Sequence, residues 1–85
     1  MQSFTYVVQD PMGIHARPAG MLAKAAMAYP CAVTLTAPAG TADAKRLMSI
    51  MRLAVKAGME VTVSCEGEQE EEAAAGLEAF FQENL

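Results

Sequence analysis

The chain contains a single histidine, and the residues around it are of types that can do chemistry: Gly13-Ile14-His15-Ala16-Arg17-Pro18-Ala19-Gly20. Gly13 permits a sharp turn, His15 falls at the expected N-cap of a helix, and Pro18 sits in the first helical turn, where its missing N–H would have had no intrahelical partner. The backbone amides of Ala16 and Arg17 then stay unpaired beside the imidazole. Unpaired N–H groups and the positive end of the helix dipole together favour an anion. A neutral imidazole is a nucleophile able to accept a phosphoryl group, and the Arg17 guanidinium offers a planar donor fork to its oxygens. A histidine here could also do no more than end a loop as a polar N-cap. On local chemistry alone the two readings stand level.

The elements that must position this segment follow from the side-chain periods. Phe4 to Val8 is short and rich in aromatic and β-branched residues, and Gln9-Asp10-Pro11-Met12-Gly13 are turn formers, so a first strand ends there. From Ala16 to about Tyr29, Ala19, Leu22, Ala23 and Ala26 recur at helical spacing and Pro30 closes the run. Val33 and Leu35 alternate with Thr34 and Thr36, and Pro38-Ala39-Gly40 turns into a partner strand around Thr41 to Ala44. Leu47 to Ala54 reads as a short helix ended by Gly58, with more apolar residues than one stripe can bury. Glu60 to Glu66 alternates again, and the last stretch opens with acids and carries Ala73, Leu77, Phe80 and Phe81 as an apolar stripe. The order β-α-β-β-α-β-α predicts an α+β fold: a four-stranded antiparallel sheet with helices on one face and the other face solvated. The expected core is Leu22, Val33, Leu35, Val61, Val63, Leu77, Phe80 and Phe81.

Composition removes several classes of function. At 85 residues the chain is read as one domain over 1–85, with any active site shallow and near the surface. No apolar run approaches the ~18 residues of a membrane span, and residues 1–10 lack the layout of a signal peptide, so a cytoplasmic protein without membrane insertion is expected. Cys31 and Cys65 are far apart and form no CxxC pair, which reads as two reduced core thiols. One histidine and no ligand spacing give no metal site and no cofactor. All six basic residues (Arg17, Lys24, Lys45, Arg46, Arg52, Lys56) lie between positions 17 and 56, where Asp43 is the only acid, while eight of the ten acids lie from Glu60 to Glu83. That asymmetry suits a face for acidic partners, and ordinary solvated helix faces account for it equally well. The net charge of −4 and the few aromatics disfavour nucleic acid.

The segment Gly13 to Ala19 resembles the active-site motif of the HPr family of the bacterial sugar phosphotransferase system. Lys45 with Leu47-Met48-Ser49-Ile50-Met51 resembles that family's second helix, and Glu60-Val61-Thr62-Val63-Ser64 with Glu66-Gly67-Glu68 its last strand and the approach to its final helix. The resemblance implies an open-faced β-sandwich with sheet order 1-4-2-3. It further implies that His15 carries a phosphoryl group on Nδ1, steadied by Arg17; the amides of Ala16 and Arg17, unpaired at the helix mouth, are the expected phosphate-binding backbone. Enzyme I, charged from phosphoenolpyruvate, is the implied donor and enzyme IIA components are the implied acceptors. Met21, Lys24, Leu47, Met48, Met51 and Arg52 are the expected partner surface of a monomer. With no Gly-rich nucleotide loop, such a protein relays phosphate and cannot generate it, so it is a group-transfer component and not a self-sufficient enzyme. Arg46 stands where many Gram-positive members have a regulatory serine, so control through that position is not expected; Ser49 is the nearest hydroxyl. Two other roles fit the resemblance: a regulatory adaptor binding a transcription factor or metabolic enzyme through Leu47 to Leu53, and a carrier in a nitrogen-linked branch. Retention of His15 speaks against a solely adaptor role, because adaptor-only relatives can lack it.

Overall fold

Alternation of inward apolar and outward hydroxyl side chains builds the sheet. In the computed structural model, which describes all 85 residues, the elements run β1 (Gln2–Val7), α1 (Ala16–Met27), β2 (Ala32–Ala37), β3 (Gly40–Asp43), α2 (Leu47–Arg52), β4 (Glu60–Glu66) and α3 (Glu70–Asn84). The strands pair antiparallel in the order β1-β4-β2-β3, which is the expected α+β topology. One inner rung joins Phe4, Val63, Leu35 and Ala42 across all four strands. The corresponding outer rung joins Thr5, Thr62, Thr36 and Thr41, and beside it lie Ser3, Ser64 and Thr34. Threonine keeps the stiff β-branched shape that strands favour while its hydroxyl stays in water, so this open face needs no second layer.

The helices cover the inner face. Ala19, Leu22 and Ala26 of α1, Ile50 of α2, and Ala73, Leu77 and Phe81 of α3 are fully buried. Phe81 meets Phe4, Tyr6 and Phe80 edge-on at centroid distances of 5.7, 5.5 and 6.0 Å, contacts worth about 0.5 to 1.5 kcal/mol each beyond area burial. Phe80, expected in the core, is only half-buried, because adjacent helical residues point about a quarter-turn apart and Phe81 takes the sheet side. The start of α3 is tied to its approach by the Gly67 amide, which donates to Glu70 Oε1 at 2.9 Å. A bond from the Met1 ammonium, and then that from Gly67, hold the Glu70 carboxyl below the ordinary carboxylate range.

Two helices end earlier than their composition suggests. α1 stops at Met27, where the Ala28 and Tyr29 amides turn back to the carbonyls of Ala25 and Ala26. α2 stops at Arg52, well before Gly58, and Ala54 adopts a left-handed φ of 48°. That turn drives Leu53 and Val55 inward, where both are buried. Burying two aliphatic side chains at roughly 1.5 to 3 kcal/mol each outweighs the roughly 1 to 2 kcal/mol of one left-handed alanine.

Cys65 lies opposite Val33 in the β2–β4 ladder, and Cys31 precedes β2 on the same inward side; both are buried and unbridged. Burial, followed by the neighbouring Cys31, pushes the Cys65 thiol from 9.0 up to about 11. A raised thiol favours the protonated native form. Its contribution to stability is therefore complete below 9.0 and is lost as pH rises through about 11. Urea unfolding across that window should show stability falling in the parent and falling less in Cys65→Ala. Equal slopes would separate Cys65 from the alkaline transition.

Candidate functional site

The residues between β1 and α1 fold back on themselves to present His15. Asp10 and Gly13 close a turn through the Gly13 amide and the Asp10 carbonyl at 2.8 Å, and the Asp10 side chain accepts from the Met12 amide at 2.9 Å. Gly13 is buried and has a φ of +68°. A Cβ there would lie 2.2 Å from the Val55 carbonyl oxygen and 2.7 Å from Lys56 Cα, so only glycine lets the two backbones meet. The next amide, of Ile14, donates to Val55 O at 3.0 Å, and the Ile14 side chain enters the core. His15 emerges from this fastening as the N-cap of α1, in extended conformation (φ −89°, ψ −176°).

The imidazole makes no capping bond. His15 serves the helix through its carbonyl, which accepts from the Ala19 amide at 3.0 Å, while the amides of Ala16 and Arg17 donate to nothing within the chain. The first turn of α1 contains no acid to neutralise them. The His15 side chain is one-third exposed and looks onto a shallow open pocket of about 250 Å³ lined by Asp10, His15, Arg17, Pro18, Met21 and Asn84. Facing the ring is Asp10, whose Oδ2 lies 3.8 Å from Nε2. A partly exposed imidazole, two free amides at a helix mouth and an exposed guanidinium together suit a tetrahedral anion held at the surface.

The structure thus brings His15, Ala16, Arg17 and Met21 to one place. Lys24 lies one turn beyond Met21 on the same face of α1 and is exposed. α2 packs against α1 and carries Leu47, Met48, Met51 and Arg52 outside the pocket. Leu47 and Met48 are exposed, Met48 by 67%, and Arg52 is exposed as expected. Met51 is the exception: it is half-buried against the core, because α2 rotates Ile50 inward and Met51 follows at its flank. Arg46 is the exposed N-cap of α2, with Nε 3.8 Å from Asp43 Oδ2. Asp10 and Asn84 were not singled out from the sequence. Asp10 carried a local signal, an aspartate two residues before an amide it could accept from in a turn. Asn84 carried none, since only the packing of α3 brings it within reach.

Comparison with known proteins gives this corner its context. Residues 2–83 match the family model described as the PTS HPr component phosphorylation site. The chain belongs to the HPr family of phosphocarrier proteins. It is similar to the phosphocarrier protein HPr of Mycoplasma genitalium, with 36% identity over 99% of this chain and 97% of that protein. It is similar also to the HPr-like protein Crh of Bacillus subtilis, with 38% identity over 86% of each chain. A solved Mycoplasma histidine-containing phosphocarrier protein superimposes with a TM-score of 0.93 at 29% identity, over 96% of this chain and 93% of that one. The open-faced sheet of order 1-4-2-3 is therefore the HPr fold, and the chain is a phosphocarrier component of the phosphotransferase system.

The seat of Gly13 generates a direct test. Gly13→Ala must relieve both the overlap with Val55 and the positive φ, and should cost about 1 to 3 kcal/mol or more in urea unfolding while moving the His15 ring resonances. A loss below about 0.5 kcal/mol with unmoved ring resonances would show that the loop is not fixed at this point.

Proposed function

We propose that His15 accepts a phosphoryl group from enzyme I and passes it to enzyme IIA components of the sugar phosphotransferase system, in the cytoplasm and as a one-domain monomer. The observation that carries this reading is the uncapped helix mouth: an imidazole free of side-chain capping, beside two unpaired amides, at an open pocket. In the acceptor step the Nδ1 lone pair attacks phosphorus as the donor's bond to it breaks. The amides of Ala16 and Arg17 and the Arg17 guanidinium meet the phosphoryl oxygens, and in-line transfer needs little from the protein beyond such positioning and charge. The donor and acceptor proteins dock on the exposed surface of α1 and α2, with Met21, Leu47 and Met48 as adaptable apolar contacts and Lys24 and Arg52 as flanking cations. Met51 contributes only its exposed edge. Similarity to Crh keeps a regulatory-adaptor reading in view, and an open, uncapped His15 favours carriage.

Incubation with enzyme I and labelled phosphoenolpyruvate should give acid-labile, base-stable label on the parent and none on His15→Ala. Because the imidazole caps nothing, that variant should lose less than about 1 kcal/mol of stability, and a folded His15→Ala that still labels would end the proposal. Arg17→Ala should still label, roughly ten- to a hundredfold more slowly, as expected for one charge-assisted hydrogen bond. Unchanged kinetics would remove Arg17 from the mechanism.

The docking surface has its own test. Met48→Asp should weaken association with enzyme I and leave the melting temperature almost unmoved, since Met48 is 67% exposed. An affinity equal to the parent's would place the interface elsewhere.

A further inference from the structure

Asp10 is held at more points than a turn residue requires. Its amide donates to the Leu85 carbonyl oxygen at 2.8 Å, its carbonyl accepts from the Gly13 amide at 2.8 Å, and its Oδ1 accepts from the Met12 amide at 2.9 Å. These bonds come from the far end of the chain and from within one turn, and they hold the backbone and one oxygen of the carboxylate. One acceptor, Oδ2, takes no hydrogen bond, and it faces His15 Nε2 at 3.8 Å. Both side chains are only partly exposed, Asp10 by 26% and His15 by 33%, so water screens the pair incompletely. Among the residues lining the pocket Asp10 is the sole carboxylate, and Arg17 is the sole cation.

We infer that Asp10 is a positioning residue that holds the proton of the His15 ring on Nε2 and so leaves the lone pair on Nδ1 for the phosphoryl group. The inference rests on the carrier reading given above. A carboxylate facing one imidazole nitrogen favours the tautomer with the proton on that nitrogen, and the ring then offers its other nitrogen as nucleophile. At 3.8 Å the contact is Coulombic and longer than a hydrogen bond; unliganded sites commonly hold such pairs loosely and tighten them as charge develops. During transfer the Nδ1–P bond forms as the donor's bond to phosphorus breaks, and the donor's leaving atom keeps the electron pair. Nε2 keeps its proton throughout. The positive charge that the ring gains lies opposite Asp10, while the phosphoryl oxygens lie toward Arg17 and the helix amides, so the two charges are sorted to opposite sides of the imidazole. Delivery to an acceptor reverses each change.

Asp10→Asn isolates this role, because asparagine keeps an oxygen for the Met12 amide but presents an NH2 in place of Oδ2. The full chain carrying 15N-labelled histidine would be compared by NMR with and without the substitution, and both proteins would be phosphorylated by enzyme I. In the parent the neutral ring should be the Nε2–H tautomer. Asp10→Asn should raise the Nδ1–H share several-fold and lower the phosphorylation kcat by about tenfold, with KM within about twofold. Ring nitrogen shifts in Asp10→Asn equal to the parent's would overturn the inference whatever the rate does. A parent ring that is mainly Nδ1–H would overturn it without any variant. If the parent takes no label from enzyme I while its tautomer still depends on Asp10, the carrier reading fails and the orienting contact stands.

Discussion

The backbone of Gly13 lies so close to Val55 and Lys56 that no side chain fits between them, and the properties of the His15 corner depend on that approach. It ties the loop after β1 to the segment joining α2 and β4, two stretches separated by four elements in sequence. Ile14 completes the tie with a hydrogen bond to Val55 and a side chain in the core. With the residue before His15 buried, the chain direction at the N-cap is set by packing. The imidazole does not have to hold the helix and is free to face the pocket.

That freedom has an energetic side. A serine, threonine, asparagine or aspartate at the N-cap would be worth about 1 kcal/mol to α1, and acids in its first turn would add more. The same chain uses acids in this way at α3, where Glu70, Glu71 and Glu72 occupy the first turn. α1 has neither device and is held by the burial of Pro18, Ala19, Leu22, Ala23 and Ala26. Stability therefore comes from the apolar stripe, and the amides of the helix mouth stay unpaired, which is the arrangement an anion site requires.

The second helix shows a related division. Its six residues bury Ile50 and leave Leu47 and Met48 in solvent, and the half-buried Lys45 anchors its start by donating from Nζ to the Tyr29 carbonyl at 2.8 Å. Arg46 adds a cation at the N-cap, where the helix dipole opposes it and the nearby Asp43 partly offsets it. A permanent charge at that position, next to the exposed Leu47 and Met48, favours encounter with acidic surfaces through long-range attraction and adds little to the stability of the fold.

The sequence by itself determined the order of elements, because the period of two in Val33 to Thr36 and in Glu60 to Glu66, and the helical spacing of Ala19, Leu22 and Ala26, are local properties of the chain. It also determined the His15 mouth, since Gly13, His15, Arg17 and Pro18 act on one another within six residues. What it left open lay wherever one apolar residue competed with another for the same interior space. Helix α2 ends at Arg52 because Leu53 and Val55 find room in the core, Phe80 gives way to Phe81, and Met51 is drawn half under. No spacing rule announces such outcomes, which are settled by volumes and by what stands opposite. The same holds for the pocket, where Asp10 meets His15 across a turn and Asn84 arrives from the last helix. Local chemistry could single out His15, but only tertiary packing could decide which groups stand around it, because those contacts join residues as far apart in sequence as Asp10 and Asn84 and depend on how every intervening element is seated.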